Sequence, residues 1–302
     1  MKVAVIQMAP VFLNKMATWD KLKKMISEAA ENGAKVITWG ETLIPGYPAW
    51  LDLTDSAAWN NPAQKRAYST YVRESVSMEG PIVAEMCEVA KNFGLILMGG
   101  ILEGDGGGSV YCTLITIGSY GEVLGRHRKI KTTFNERLVW ADATDVNDLK
   151  TYDTPEGKIG GLNCWENWIP LARAALHKQG EMIHVAVWPG SYSLTKDLSR
   201  FMALEGRSWI LSACGTLMGE DFEKLTEEDF PMRDTMVGAG NLHTGGSIIV
   251  NPKGEVVAGP LPDYEEGILY ADIDKRTVLE ERQNFDYSGH YGRPDLLRLE
   301  WD

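Results

Sequence analysis

One cysteine of this sequence stands where a predicted strand should turn into a helix. The run from Lys158 to Asn163 is typical of a short buried strand, and the apolar spacing from Trp165 to His177 predicts a helix. Cys164 would therefore lie at the tip of the turn, where free N–H groups can lower a thiol pKa and stabilise negative charge. These features suit a nucleophile, although cysteine is also a common buried hydrophobic residue.

Two charged residues follow other predicted strands. Glu41 lies at the carboxyl end of a buried run from Ala34 to Trp39, between Gly40 and a segment rich in proline and aromatic residues. Lys129 lies in a basic cluster from Arg126 to Lys131, which is conspicuous in an acidic protein. A carboxylate beside a thiol can act as a general base, and a lysine can stabilise negative charge. From these residues alone, solvated acidic and basic loops remain open alternatives.

The order of the predicted elements indicates an α/β protein. Lys2 to Met8 predicts a buried strand and Trp19 to Asn32 a helix, and strands and helices continue to alternate. No linker or repeat divides the sequence, so residues 1–302 are predicted to form a single domain. Further predictions are helices over Pro81 to Phe93 and Ser199 to Ile210, strands over Leu95 to Ile101, Val110 to Ile117 and Met182 to Trp188, loops over Leu51 to Ser75 and His243 to Gly246, and a buried helix face of Trp168, Leu171, Ala172 and Ala175.

Composition and charge exclude several classes of function. A formal net charge of −12 over 302 residues argues against nucleic acid as a partner. The four cysteines and five histidines show no metal-ligand or disulfide spacing, so free thiols and no metal site are expected. The glycine-rich run from Gly104 to Gly108 lacks phosphate-loop spacing and favours a hairpin turn. Without a signal peptide or an apolar run of roughly 20 residues, the sequence predicts a cytoplasmic protein with no membrane partner.

Three segments resemble the signature motifs of the nitrilase superfamily, in the order that the family has them. They are Trp39 to Pro48, His127 to Lys129, and Gly161 to Glu166. The motif with tryptophan after the cysteine resembles that of the true nitrilase branch, whereas amidases and carbamoylases more often carry tyrosine at that position. The resemblance implies that Cys164 is the nucleophile and Glu41 the general acid and base. It also implies that Lys129 stabilises tetrahedral intermediates and that Glu136 is a second catalytic glutamate.

The same resemblance implies a four-layer αββα sandwich, a homodimer or larger homo-oligomer, and a reaction without cofactor. That reaction is hydrolysis of an organic nitrile to a carboxylic acid and ammonia through a covalent thioimidate and thioester. Alternatives are an amidase or carbamoylase of the same fold, an enzyme that stops at the amide, and a non-catalytic scaffold. Aromatic residues near the catalytic positions are candidates for substrate binding: Tyr47, Trp50, Trp165 and Trp188.

Two departures from the usual motifs lie beside catalytic positions. Trp39 and Gly40 precede Glu41, where phenylalanine and proline are more usual in the family. The segment from Thr132 to Phe134 stands where many nitrilases have proline and histidine. Because these residues adjoin the catalytic ones without replacing them, we expect them to affect the range of substrates and to leave the chemistry intact.

Overall fold

The computed structural model describes residues 1–300, and the last two residues of the predicted domain, Trp301 and Asp302, lie outside the described residues. The elements in chain order are β1 (Lys2–Gln7), α1 (Lys15–Glu31), β2 (Val36–Ile44), α2 (Trp50–Leu53), α3 (Pro62–Arg73), α4 (Pro81–Phe93), β3 (Ile96–Gly104), β4 (Val110–Ile117), β5 (Val123–Arg128), β6 (Tyr152–Thr154), β7 (Gly157–Asn163), α5 (Pro170–Lys178), β8 (Glu181–Trp188), α6 (Tyr192–Gly206), β9 (Trp209–Cys214), β10 (Thr216–Met218), α7 (Arg233–Val237), β11 (Asn241–Thr244), β12 (Ile248–Val250), β13 (Val256–Ala258), β14 (Gly267–Asp272) and α8 (Lys275–Asn284). Short 3₁₀ helices span Phe134–Leu138, Cys164–Trp168 and Gly219–Phe222. Within residues 1–300, no helix has both the length and the apolar character needed to cross a membrane.

Most of these strands belong to two mixed sheets of six strands each. The first sheet has the order β14-β1-β2-β3-β4-β5, and the second has the order β13-β12-β9-β8-β7-β6. Three neighbouring strands run parallel in each sheet, β1-β2-β3 in the first and β7-β8-β9 in the second. Glu41 lies in β2 and Cys164 directly follows β7. Both residues are therefore positioned by parallel strands inside a sheet, each with a neighbour on either side.

The two sheets pack face to face and carry helices on their outer faces. Apolar side chains of both sheets, including Val5 and Val185, share one buried core. α1 and α4 pack on the outer face of the first sheet through residues such as Leu22 and Met86. α6 and α5 cover the second sheet in the same way. This arrangement confirms the predicted four-layer αββα sandwich.

The local sequence explains why α1 forms where it does. The side chain of Asn14 accepts the Ala17 N–H and so caps the first turn. Trp19, Leu22 and Ile26 recur at helical spacing and are fully buried against the sheet. The predicted helix is confirmed, and it begins earlier than predicted because the Asn14 cap lies before the first buried residue.

The helix predicted from Trp165 to His177 is interrupted. After the 3₁₀ helix the chain leaves helical conformation at Ile169, and α5 begins at Pro170. The break has a local cause, because a residue that precedes proline is disfavoured in the α conformation. Beyond it the predicted buried face was wrong in part: Trp168 and Leu171 are 46% and 65% exposed, whereas Ala172 and Ala175 are buried.

Other predicted loops and boundaries also change. The segment from Leu51 to Ser75, predicted as a loop, contains most of α2 and all of α3. Asn61 caps the N-terminus of α3 and Pro62 is its first residue, which is a typical start of a helix. The solvated-loop alternative for the basic cluster was wrong in part, because β5 runs to Arg128 and Lys129 is buried, whereas Lys131 lies beyond the strand and is exposed. The helix predicted over Ser199 to Ile210 is α6, which ends at Gly206, and His243 lies in β11.

The two sheets come close together beside Glu41. A Cβ atom on Gly40 would lie 2.7 Å from the Gly215 nitrogen and 3.0 Å from the Trp188 carbonyl oxygen. Glycine is therefore required where the motif more often has proline. The tryptophan before Gly40 also needs a glycine opposite it, since a Cβ atom on Gly99 would overlap the ring of Trp39. This unusual motif is thus accommodated by packing that leaves Glu41 in place.

Candidate active site

Cys164 is the first residue of the 3₁₀ helix that follows β7, and it is only 3% exposed. Its φ angle of +45° lies in the left-handed region. This conformation is costly for a residue other than glycine and persists where neighbouring groups hold it. Asn163 caps the helix, and its N–H donates to the Glu166 carboxylate at 2.9 Å. The thiol therefore lies at a strand-to-helix turn, as the sequence predicted, but on a 3₁₀ turn.

Glu166 is a buried carboxylate to which the sequence analysis gave no role. Its Oε1 accepts the Ile130 N–H, and its Oε2 lies 3.0 Å from His127 Nε2. Burial acts to raise the pKa of Glu166, but the charge of His127 and the N–H donors outweigh burial and lower it. This carboxylate ties the segment that carries Lys129 to the segment that carries Cys164.

Lys129 lies between two carboxylates in the interior. Its Nζ is 2.9 Å from Glu41 Oε1 and 2.8 Å from Glu136 Oε2, and its side chain is fully buried. Burial would lower the pKa of Lys129, but the surrounding negative charges, Glu41 foremost, raise it well above its ordinary value. The ammonium group therefore stays protonated and offsets the charge of both acids.

The two oxygens of Glu41 have different surroundings. Oε1 accepts from Lys129 Nζ and from the Cys112 thiol, which lies 3.3 Å away. Oε2 is buried and has no hydrogen-bond partner among the described residues. Burial raises the pKa of Glu41 to about 7, with Lys129 opposing the rise and Glu136 adding to it. A carboxyl group with this pKa can both accept and return a proton near neutral pH.

The thiol lies beside these acids. The Cys164 sulfur lies within 4.8 Å of one carboxylate oxygen of Glu41 and one of Glu136, and these two oxygens lie within the same distance of each other. Burial and the negative charge of Glu41 raise the pKa of the Cys164 thiol well above its ordinary value. A neutral thiol at rest needs a base when it attacks, and Glu41 is the better candidate because its Oε2 has no hydrogen-bond partner among the described residues, whereas both oxygens of Glu136 accept hydrogen bonds. The Lys129 ammonium already contacts both carboxylates, so this donor set suits proton transfer better than a metal ion.

Tyr47, predicted as a substrate-binding residue, contacts the second glutamate. Its hydroxyl donates to Glu136 Oε1 at 3.0 Å, and its ring packs edge to face on His243 with centroids 5.2 Å apart. Burial and the charge of Glu136 raise the pKa of Tyr47 well above its ordinary value, so the phenol remains a neutral donor. Tyr47 thus orients Glu136, which in turn contacts Lys129. Sequence reasoning did not identify His243, which no motif includes.

A cavity of about 50 Å³ opens beside Cys164. Two of the predicted substrate-binding residues, Trp165 and Trp188, form part of its wall. Trp168 and Leu194 also line it, and sequence reasoning did not identify them as pocket residues. The rings of Trp165 and Trp168 stack with centroids 5.8 Å apart. Three tryptophans therefore form part of the wall of this cavity.

The structure does not bring Trp50 to that cavity. Trp50 is 1% exposed and packs edge to face on Tyr71 and Phe230, at centroid distances of 5.1 Å and 5.6 Å. Its neighbours belong to a buried aromatic cluster that includes Phe12. Trp50 therefore has the position of a core residue, and nearness in sequence to Glu41 was a poor guide to its location.

Comparison with known proteins identifies the family of this site. The family profile described as carbon-nitrogen hydrolase matches residues 2–283. The chain belongs to the carbon-nitrogen hydrolase family. It is 37% identical to an arylacetonitrilase of Aspergillus niger, over 99% of this chain and 88% of that protein. It is 34% identical to an aliphatic nitrilase of Rhodococcus rhodochrous, over 100% of this chain and 82% of that protein.

A solved structure of the same superfamily has the same fold. Nit3 of Saccharomyces cerevisiae, a member of branch 10 of the nitrilase superfamily, aligns with a TM-score of 0.74 and 20% sequence identity. The alignment covers 97% of each chain. The family resemblance and the fold that it implied are therefore confirmed for this carbon-nitrogen hydrolase.

Proposed function

We propose that this carbon-nitrogen hydrolase is a nitrilase, which converts an organic nitrile and two water molecules into a carboxylic acid and ammonia. The observation that carries the proposal is the buried cluster in which Lys129 bridges Glu41 and Glu136 beside the Cys164 thiol. Both relatives described above are named nitrilases, which favours a nitrile over an amide as substrate. A non-catalytic scaffold has no need of a buried lysine and two acids around a thiol.

The first half of the reaction forms a covalent intermediate. The Cys164 thiol is neutral at rest, so it must lose its proton as the sulfur attacks the nitrile carbon. Glu41 Oε2, which lacks a hydrogen-bond partner among the described residues, takes this proton and returns it to the nitrile nitrogen. A carbon–sulfur bond forms and one carbon–nitrogen π bond breaks. The product is a thioimidate.

The second half consumes two water molecules. Glu41 takes a proton from the first water as it adds to the thioimidate carbon and passes this proton to the nitrogen, which gives a tetrahedral species with a hydroxyl and an amino group. The hydroxyl proton then passes to the nitrogen through the same carboxyl group, so the carbon–nitrogen bond breaks, ammonia leaves and the thioester carbonyl forms. The second water attacks the remaining thioester and releases the acid and the thiol. Lys129 and the Trp165 N–H stabilise the tetrahedral species. Loss of sulfur in place of ammonia would release an amide.

We further propose that residues 1–302 form one catalytic domain that needs no metal or organic cofactor. The core shared by both sheets supports the single domain, and the reaction above requires only water beside the substrate. All four cysteines are unpaired, which supports a reducing compartment such as the cytoplasm.

The proposal is tested by measuring ammonia, acid and amide from a panel of short aliphatic nitriles, arylacetonitriles and the corresponding amides. We expect one ammonia per acid from at least one class of nitrile. An engineered cavity of about 150 Å³ holds benzene, so the cavity of about 50 Å³ predicts a higher kcat/KM for short aliphatic nitriles. The reverse order would contradict this preference, and ammonia from amides alone would contradict the nitrilase proposal.

We propose that the protein is a homodimer that pairs through the exposed side of the second sheet's helices. Arg173 of α5 lies 5.6 Å from the ring centroid of Phe201 of α6 and forms two hydrogen bonds to Glu205, which joins the two helices. Large apolar side chains of these two helices and of the 3₁₀ helix before α5 are exposed: Trp165, Trp168, Leu171, Leu194, Phe201 and Leu204. A group of this size is unusual on the surface of a monomer and is expected to be covered by a second copy.

Leu171→Glu is expected to shift the dimer toward monomer, because it places a charge on the apolar surface that the second copy would cover. Analytical ultracentrifugation over a range of concentrations measures the shift. Leu279→Glu is the matched control, since Leu279 lies on α8 and is 54% exposed. A monomeric parent protein, or equal effects of both substitutions, would contradict the assembly through this surface.

Cys112→Ala is expected to move the acidic limb of the kcat/KM profile to higher pH by about 0.5 to 1 unit. The Cys112 thiol donates to Glu41 Oε1 and favours the ionised carboxylate, so its removal raises the pKa of Glu41 above about 7. Rates measured between about pH 5 and pH 9 give the shift. Cys112→Ser keeps a donor and should leave the limb near its original position. An unchanged limb in the alanine variant would show that Cys112 does not tune the base.

A further inference from the structure

A buried chain of hydrogen bonds outside the four catalytic residues leads to the backbone of Cys164. It begins at Asn167, in the same 3₁₀ helix, which is fully buried. The Asn167 amide nitrogen donates to the Cys164 carbonyl at 2.9 Å and to the Leu162 carbonyl at 3.2 Å. Both amide protons are therefore committed to backbone carbonyls on either side of the nucleophile.

This commitment determines the protonation of the next residue. With its amide nitrogen engaged, Asn167 presents Oδ1 to His184 Nε2, which lies 2.8 Å away. Because Oδ1 can only accept, Nε2 must carry a proton. The other ring nitrogen of His184, Nδ1, is 2.9 Å from Glu181 Oε1. That contact requires one further proton, carried by the ring or by the carboxyl group. The His184 Nε2–H and the Asn167 amide N–H therefore both donate in the direction of Cys164.

The chain acts on the peptide group that follows the nucleophile. A trans peptide is planar, and its C=O and N–H point in opposite directions. Asn167 holds the Cys164 carbonyl and thereby directs the Trp165 N–H to the other side, where that N–H lowers the thiol pKa against the larger opposing effect of burial. The same bond anchors the carbonyl of a residue whose φ of +45° lies in the left-handed region.

We propose that Glu181, His184 and Asn167 form a positioning chain that sets the orientation of the Cys164–Trp165 peptide and so aligns the thiol and the Trp165 N–H for attack. This inference rests on the proposed function, in which that N–H stabilises the tetrahedral intermediates. The three residues are not catalytic, because they reach the substrate only through the backbone of Cys164.

Titratable and charged groups of three helices surround the end of the chain at Glu181. They are His177 and Arg173 of α5, Glu205 of α6 and Arg282 of α8. Arg173 donates to the Asn167 carbonyl at 2.6 Å, and Arg282 donates to the Glu181 carbonyl. Both cations therefore fix backbone atoms of the chain and leave its side-chain bonds unchanged. Burial lowers the pKa of His177, so this ring is neutral beside Glu181.

The first test is Asn167→Asp, which keeps the shape of the side chain and removes the donor to the Cys164 carbonyl. We expect kcat to fall about 10- to 100-fold, with KM changed less than about threefold, because alignment for attack is lost while the binding cavity remains. The rate constant for alkylation of Cys164 by iodoacetamide should fall as well. Alkylation requires no substrate, so it reports on the chain even if none of the tested nitriles is hydrolysed.

The second test separates positioning from a general loss of structure. Glu181→Gln keeps a hydrogen-bonding partner for His184 Nδ1 and should retain kcat and the alkylation rate within about threefold. Glu181→Leu lets the ring adopt its other tautomer, in which Nε2 cannot donate to Asn167, and should lose about tenfold in both. Thermal unfolding shows whether each variant is folded, and where Glu181→Leu is not, the comparison of Asn167→Asp with the parent protein decides.

His177→Phe is the matched control. Both ring nitrogens of His177 are buried without a hydrogen-bond partner among the described residues, so an apolar ring of similar shape should be tolerated. Its kcat should stay within about twofold of the parent value. A full kcat in Asn167→Asp, or equal losses in Glu181→Gln and Glu181→Leu, would overturn the positioning chain.

Discussion

Cys164→Ala is expected to abolish ammonia release from every nitrile that the parent protein hydrolyses, with kcat lower by about 10⁴-fold or more. Alanine has no group that can form the thioimidate, and water alone attacks a nitrile carbon very slowly. Cys164 is 3% exposed, and the substitution removes only its sulfur atom, so the fold should remain. Ammonia assays and mass spectrometry of protein quenched during turnover measure the loss of rate and of the covalent adduct.

Cys87→Ala provides the matched control for this result. Cys87 is an unpaired cysteine on α4, outside the cluster around Lys129. Its alanine variant should retain the activity and the adduct of the parent protein. Measurable nitrile hydrolysis by Cys164→Ala, or an adduct that persists in it, would show that another group is the nucleophile.

Lys129→Met is expected both to remove activity and to destabilise the fold by about 3 to 5 kcal/mol. The substitution leaves Glu41 and Glu136 as two buried carboxylates without the cation that lies 2.9 Å and 2.8 Å from them. One of the acids must then take up a proton at neutral pH, and the positive charge that stabilises the tetrahedral intermediates is lost. Urea denaturation gives the change in the free energy of unfolding, and the nitrile panel gives the change in rate.

Two further variants show which of these effects belongs to the buried charge. Lys131→Met, in the same basic cluster, removes a lysine whose side chain is 65% exposed and should change stability by less than about 1 kcal/mol. Lys129→Met combined with Glu136→Gln removes one buried negative charge with the positive one, so it should recover part of the stability but none of the activity. A stable and active Lys129→Met protein would contradict the proposed role of this lysine.

Much of the fold could be predicted because the relevant signals are local, and the residues around Lys129 could be named because three motifs resemble those of a known family. The spacing of Trp19, Leu22 and Ile26 marks a helix with one buried face, and the run that ends at Asn163 marks a buried strand. The two residues before Glu41 differ from the usual family motif, but the motif can still be recognised, and Gly40 fits the close contact between the two sheets. These features depend on a few neighbouring residues, so the order of residues alone expresses them.

The sequence by itself determined which residues could form the catalytic set and which segments would carry them. Only the tertiary structure decided that Lys129 bridges both acids, that Trp50 belongs to an aromatic core, and that Trp168 lines the cavity in its place. Periodicity tells that a face is buried but not which element covers it. The contact between His184 and Asn167 spans two elements that meet only after the sheet has formed, so no local pattern could predict it.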